Sequence, residues 1–173
     1  MLNRIKNHLA ESILTILSQK EKFLLEPKKQ FTRKRLLSME TMLRTILGMG
    51  GNSLSKELLE AELSVSNAAF VQRRYAIKSE AFYELFRDFT AKIPQVKEIP
   101  ILAVDGSDVC IPRNSKDLST VITPHHQGKS YNLIHINALF DLQRGIYVDV
   151  CSQDKRQADE HAGLLQLMQN CPF

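Results

Sequence analysis

IPILAVDGSDVCI, residues 99–111, is where the periodicity of this chain changes. Upstream, apolar residues return every three or four positions. Within this stretch they run almost unbroken and are β-branched at both ends. The run 101–104 reads as a buried strand that closes on the Asp105-Gly106 turn signal. Pro94 and Pro100 stand just before it, so the chain divides there into residues 1–98 and 99–173.

The first part reads as helix after helix. Leu2, Ile5, Leu9, Ile13 and Ile16 step by three and four, predicting a helix over 2–24 that ends before Pro27. Ser38 is the expected N-cap of a second helix reaching Leu47, which Gly50-Gly51 stops. Ser53 opens SLSKELLEAEL, a short break at 63–66 leads into NAAFVQRRYAI, and Ser79 opens EAFYELFRDFTAK. The second part reads differently. Residues 112–130 are polar, hold Pro112, Pro124 and Gly128, and read as a long loop. YNLIHINALFDL and GIYVDVCSQ form a hairpin around Gln143-Arg144-Gly145, and a helix follows over 157–169. An α+β chain is expected.

Composition narrows the function classes. The chain has 173 residues, 43% of them hydrophobic, which suffices for a core and excludes wholesale disorder. Its net charge of +4 is uneven: 17 Lys/Arg against 11 Asp/Glu in 1–98, and 6 against 8 in 99–173. A cationic half suits a polyanion and an acidic half suits cations. Three cysteines without a CxxC pair point to a reducing, cytosolic setting. Cys110 and Cys151 read as buried small hydrophobes. There is no apolar run long enough to span a membrane, no signal-peptide pattern, no zinc-finger spacing, no nucleophile elbow and no glycine-rich phosphate loop.

Two basic segments are candidates for nucleic-acid contact. Ser53–Ile77 has helix-turn-helix character, and its second helix carries Asn67, Gln72, Arg73 and Arg74, side chains able to reach base edges or phosphates. KKQFTRKR supplies Lys28, Lys29, Arg33, Lys34 and Arg35, either to neutralise phosphates or as a solvated linker. In the acidic part, Asp105 is expected at a strand end, where a carboxylate suits a hard cation or simply forms a turn. Asp108 could point into the same space. Asp141 and Asp149 read as turn and edge residues, and Asp154, Asp159 and Glu160 as caps of the last helix. His125 and His126 are poorly placed to share one metal, and His135 reads as a strand residue with its hydrogen bonds met.

Three segments taken in order carry a family resemblance: SVSNAAFVQRRYAIKSEAFYELFRDF (64–89), AVDGSDVCIP (103–112) and HQGKSYNLIHINALFDLQRGIYVDV (126–150). Together they resemble bacterial insertion-sequence transposases of family four, of the DDE type, over roughly residues 38–170. The resemblance implies a helical, helix-turn-helix-like DNA-binding region followed by a ribonuclease-H-like catalytic domain. It maps the first catalytic, metal-binding Asp onto Asp105. It also implies magnesium (or manganese) as cofactor, double-stranded terminal-repeat DNA as partner, a homo-oligomer on that DNA, and a cytoplasmic, nucleoid-associated location. The family's second Asp and its Glu have no counterpart here, so the catalytic domain is expected to be incomplete. The alternatives are a non-catalytic DNA-binding regulator and an inactive remnant.

Overall fold

In the computed structural model, residues 2–33, 35–94, 99–124 and 128–169 are described. The chain forms two compact units, Met1–Ile93 and Pro94–Phe173. Together they make an α+β protein. No helix among the described residues is long and apolar enough to cross a membrane.

The first unit contains α1 (Leu2–Ser18), α2 (Met39–Gly48), α3 (Leu54–Glu60), α4 (Asn67–Arg74) and α5 (Glu80–Ala91). The first helix is shorter than its periodicity predicts, because residues Lys20–Phe23 tighten into a 3-10 turn. Ser38 caps α2 by accepting from Thr41 N, and Ser66 caps α4 by accepting from Ala69 N. Ser53 occupies the N-cap position of α3 without a capping bond from its side chain. Apolar steps of three and four turn Ile13 and Ile16 of α1, Met39, Met42 and Leu43 of α2, and Ala81 and Leu85 of α5 into one core around Phe70. Between α1 and α5 the chain also pairs as an isolated antiparallel bridge, Leu24 with Ile77. It is flanked by Leu25 N donating to Ala76 O and Lys78 N donating to Phe23 O.

The second unit is an antiparallel sheet of β1 (Leu102–Ile111), β2 (Val121–Ile122), β3 (Tyr131–Asp141) and β4 (Ile146–Asp154), followed by α6 (Glu160–Gln169). β3 is central. β1 lines one of its edges over ten register pairs, while β2 and β4 share the other edge in line. The hairpin turn falls at Gln143-Arg144-Gly145 as predicted, with Gly145 at a φ of 67°. Asp141 and Arg144 make a buried ion pair there, and Asp141 Oδ1 also accepts from Gln143 N and Arg144 N.

β1 departs from the sequence reading. The strand does not close at Asp105-Gly106 but continues to Ile111, and it is half-exposed rather than buried. Gly106 serves a close approach instead of a turn. A Cβ there would lie 2.7 Å from His135 Nε2 and 2.9 Å from its Cε1. Cys110, on this exposed edge strand, is exposed, whereas Cys151 is buried as expected and burial pushes its thiol pKa up. Asp149 is not an edge residue either. A bulge opposite Leu139 and Phe140 leaves Val148 without a register partner and turns both Val148 and Asp149 inward.

α6 begins later than predicted, since Lys155–Gln157 form a 3-10 turn. Asp159 caps it, its Oδ1 accepting from His161 N and Ala162 N. The helix lies on the sheet face carrying Leu139 and Cys151, with Leu167 completing that small core.

Gly163 is the contact point of α6 with β3. Alanine at 163 would place Cβ 2.5 Å from Asn137 Nδ2 and 2.7 Å from its Cγ. Asn137 cannot swing away freely, because it is buried and donates to Gln153 Oε1. Overpacking of this kind costs about 1–3 kcal/mol, against a helix-propensity gain of about 1 kcal/mol for alanine. Gly163→Ala should therefore lower the thermal midpoint of the sheet unit; an unchanged or raised midpoint would contradict this packing of α6.

Candidate nucleic-acid interface and the Asp105 face

The basic segment after α1 is a folded element, not a solvated linker. Lys29 N and Gln30 N both donate to Glu26 O, turning the chain back on itself after Pro27. Phe31 adopts the left-handed conformation, φ 52°, which is uncommon for a bulky side chain, and its ring is buried in the helical core. Leu37 is buried at the far end of the segment. Between these two anchors Thr32, Arg33, Arg35 and Leu36 are exposed.

This loop and α4 line a single open cleft of about 540 Å³. The loop contributes Lys28, Lys29, Arg33 and Arg35; α4 contributes Gln72 and Arg73. Among the described residues lining it, five are cationic and none is acidic. The Arg73 guanidinium sits over the Phe31 ring, 5.0 Å from its centroid, so the two segments are joined side chain to side chain. Lys29 is partly engaged by Glu26 at 2.8 Å, an exposed pair of the kind that contributes little.

The remaining sequence candidates fall elsewhere. Asn67, at the opposite end of α4, donates from Nδ2 to Ser55 Oγ at 2.8 Å and ties α4 to α3. Arg74 lies over the exposed ring of Tyr75, 5.7 Å from its centroid. Lys34, His125 and His126 lie outside the described residues. Phe31 was the residue missed in the sequence, and its signal was present: a lone aromatic inside a basic run has no reason to be there unless it anchors the run.

A second missed residue shapes the α2–α3 connection. Glu57 is buried on α3, and its carboxylate accepts from Asn52 N and, through both oxygens, from Gly50 N. These bonds hold the turn in which Gly51 takes a φ of 85°.

The carboxylates of the sheet separate by the parity of a continuous strand. Asp105 pairs in register with Ala138, and Asp108 with His135. The two residues are an odd number of positions apart, so they point to opposite faces and share no site. Asp105 is exposed, and its Oδ1 accepts from the Gly106 amide at 3.0 Å. Asp108 lies on the α6 face, where Lys155 Nζ at 2.6 Å and His135 Nδ1 at 2.8 Å hold its carboxyl below the usual range. His135 Nε2 and Asn137 Oδ1 are buried beside Gly106 with no hydrogen-bond partner among the described residues, where the expected partnering of the histidine is seen at one nitrogen.

Magnesium requires several oxygen ligands. Asp154 shares a face with Asp105, but Val150 is the β4 residue aligned with Asp105 through Ala138. Four residues at about 3.3 Å each put Asp154 ~13 Å along the strand. No cluster of three or more His, Cys, Asp or Glu suited to a metal ion occurs among the described residues. Asp105 can offer one ligand, and the described residues do not complete a magnesium site around it.

No protein-family model, curated protein or solved structure matches the chain.

Glu57 gives this unit a pH signature. Hydrogen bonds from Asn52 first, then Gly50, hold its folded pKa below the ordinary glutamate value of about 4.3. A depressed acid stabilises the fold above its unfolded pKa and loses that contribution as pH falls through the folded value. The helical unit should lose stability below about pH 4.3, and Glu57→Gln should flatten that limb while lowering stability at neutral pH. Parallel acid limbs for wild type and variant, followed by denaturant melts, would show that Glu57 does not contribute.

Proposed function

We propose that this chain is the amino-terminal, DNA-binding part of a DDE-type transposase. Its helical unit grips element-end duplex DNA. The observation that carries the proposal is the cleft: two basic segments far apart in sequence line one pocket without an acidic side chain among its described residues. A polyanion is the ligand such a surface favours. Supporting the helix-turn-helix-like reading, α3 and α4 are joined by six residues, 61–66, with Glu62 in the left-handed conformation at φ 54° and Ser66 capping the second helix.

The sheet unit supports the second half. A long strand, a hairpin antiparallel to it and a helix crossing one face is the order with which a ribonuclease-H-like domain opens. Asp105 stands on the face away from α6. In the complete enzyme, metal ions held by converging carboxylates would carry the phosphoryl transfer. Asp105 would be one such ligand, with Mg2+ or Mn2+ the fitting cofactor. Because no partner carboxylate reaches Asp105 among the described residues, the chain binds DNA and does not cut or join it alone. The same isolation of Asp105 favours, as the second reading, a non-catalytic regulator that acts by occupying element ends.

Binding to a duplex should fall steeply with salt. Four neutralised phosphates give a slope of about −3.6, or about 100-fold between roughly 50 and 200 mM salt. Fluorescence anisotropy against labelled duplex checks this, with Lys28→Ala plus Arg33→Ala expected to weaken binding and flatten the slope by about 2. Salt-independent binding, or none, would sink the proposal. Magnesium-dependent nicking by this chain that vanishes in Asp105→Ala would overturn the claim that it only binds.

A further inference from the structure

We infer that the cleft that Lys28, Lys29, Arg33 and Arg35 form with α4 takes the phosphodiester groups of the nucleic-acid backbone rather than base edges, with Phe31 positioning Arg73 for that contact. The inference rests on the DNA-binding proposal and names the chemistry of the same site.

Three observations point away from α4 as a base-reading helix. A reader presents a bare helix face to the major groove. Here Gln72 and Arg73 instead share their cleft with Lys28, Lys29, Arg33 and Arg35 of the loop. Asn67, the side chain at the start of α4 suited to adenine, is turned to Ser55. Arg73 holds its guanidinium over the Phe31 ring, which draws the side chain toward the loop.

The same features suit a phosphate. A guanidinium held over a ring by cation–π attraction still has N–H donors for bidentate contact with phosphate oxygens. Cations from two segments surround a tetrahedral anion better than they match a flat base edge. Phe31 does not touch the ligand. Its left-handed backbone and buried ring fold the loop over α4 and give Arg73 its platform.

The full-length chain should be titrated with a panel of duplexes of unrelated sequence, and separately with inorganic pyrophosphate while the Arg73 Nε–H and loop amide resonances are followed by NMR. Arg73→Ala should weaken every duplex by the same factor, within about threefold, and reduce the salt slope by about 1. Pyrophosphate should shift the cleft resonances of the wild type. Phe31→Leu keeps a large apolar side chain in the core but removes the ring; it should reproduce the loss of slope and move the Arg73 Nε–H signal while the unit still melts cooperatively.

Loss factors that differ among duplexes by more than about threefold would make Arg73 a base reader and overturn the inference. So would cleft resonances that pyrophosphate leaves unmoved, or a Phe31→Leu protein that binds with the full slope. Pyrophosphate binding in the cleft without binding of any duplex would instead overturn the DNA proposal and leave the phosphate assignment standing.

Discussion

The helical unit depends on a short piece of backbone pairing, the bridge of Leu24 with Ile77 and the two amide bonds beside it. Leu24 ends the path out of α1, and Ile77 lies in the link from α4 to α5. Pairing them fixes where the next residues must start, so residues 26–33 emerge alongside α4. Both strands of the bridge are buried in the core, Leu24 and Ile77 together with Phe23 and Ala76. Burial makes unpaired amides there costly, so the bridge is held by more than its own hydrogen bonds. Phe31 then anchors the loop a second time. Two anchors on either side of Lys28 and Lys29 turn a charged segment into one wall of a cleft.

The sheet unit has its own constraint, the closeness of β1 to the ring of His135. Glycine at 106 lets β1 continue over that ring without a side chain in the way. Continuity then sets the parity that separates Asp105 from Asp108. Had the strand ended at the glycine, the two carboxylates could have converged. Because it continues, one becomes an ion-pair partner of His135 and Lys155 and the other is exposed on the opposite face.

Much of this was legible in the sequence. Period and caps located the α-helices of the described residues, with Ser38, Ser66 and Ser79 at helix starts, but overran the end of α1 and the start of α6, where the chain tightens into 3-10 turns. The hairpin followed from Gln143-Arg144-Gly145. The error at Asp105-Gly106 has a physical origin. Asp-Gly signals a turn only when no neighbouring strand demands extension, and that demand came from His135 and Asn137, about thirty residues later in the chain. The inward turn of Asp149 was hidden for a similar reason, since a bulge depends on its partner strand. Among the candidate DNA contacts, the sequence marked the charges but not their convergence. That comes from the Leu24–Ile77 pairing, which carries no local signal.

β3 is inverted relative to an ordinary half-buried strand. On the α6 face His135, Asn137, Leu139 and Asp141 are buried, while Ile134, Ile136, Ala138 and Phe140 take the less covered face, where Asn132 is the one fully buried position. Such an arrangement holds only if the buried polar groups find partners. Asn132 does so with Asn114 and Thr120, Asp141 with its turn, His135 with Asp108, and Asn137 with Gln153. The inversion bears on Asp105, which shares its face with the apolar side chains of β3 and has Ala138 directly opposite. Asp105 is exposed there and water reaches it. If that face were covered, keeping the charge would require a counter-ion in place of the lost water. The apolar lining that makes a cover favourable is thus the feature that would turn Asp105 from a solvated side chain into a cation ligand.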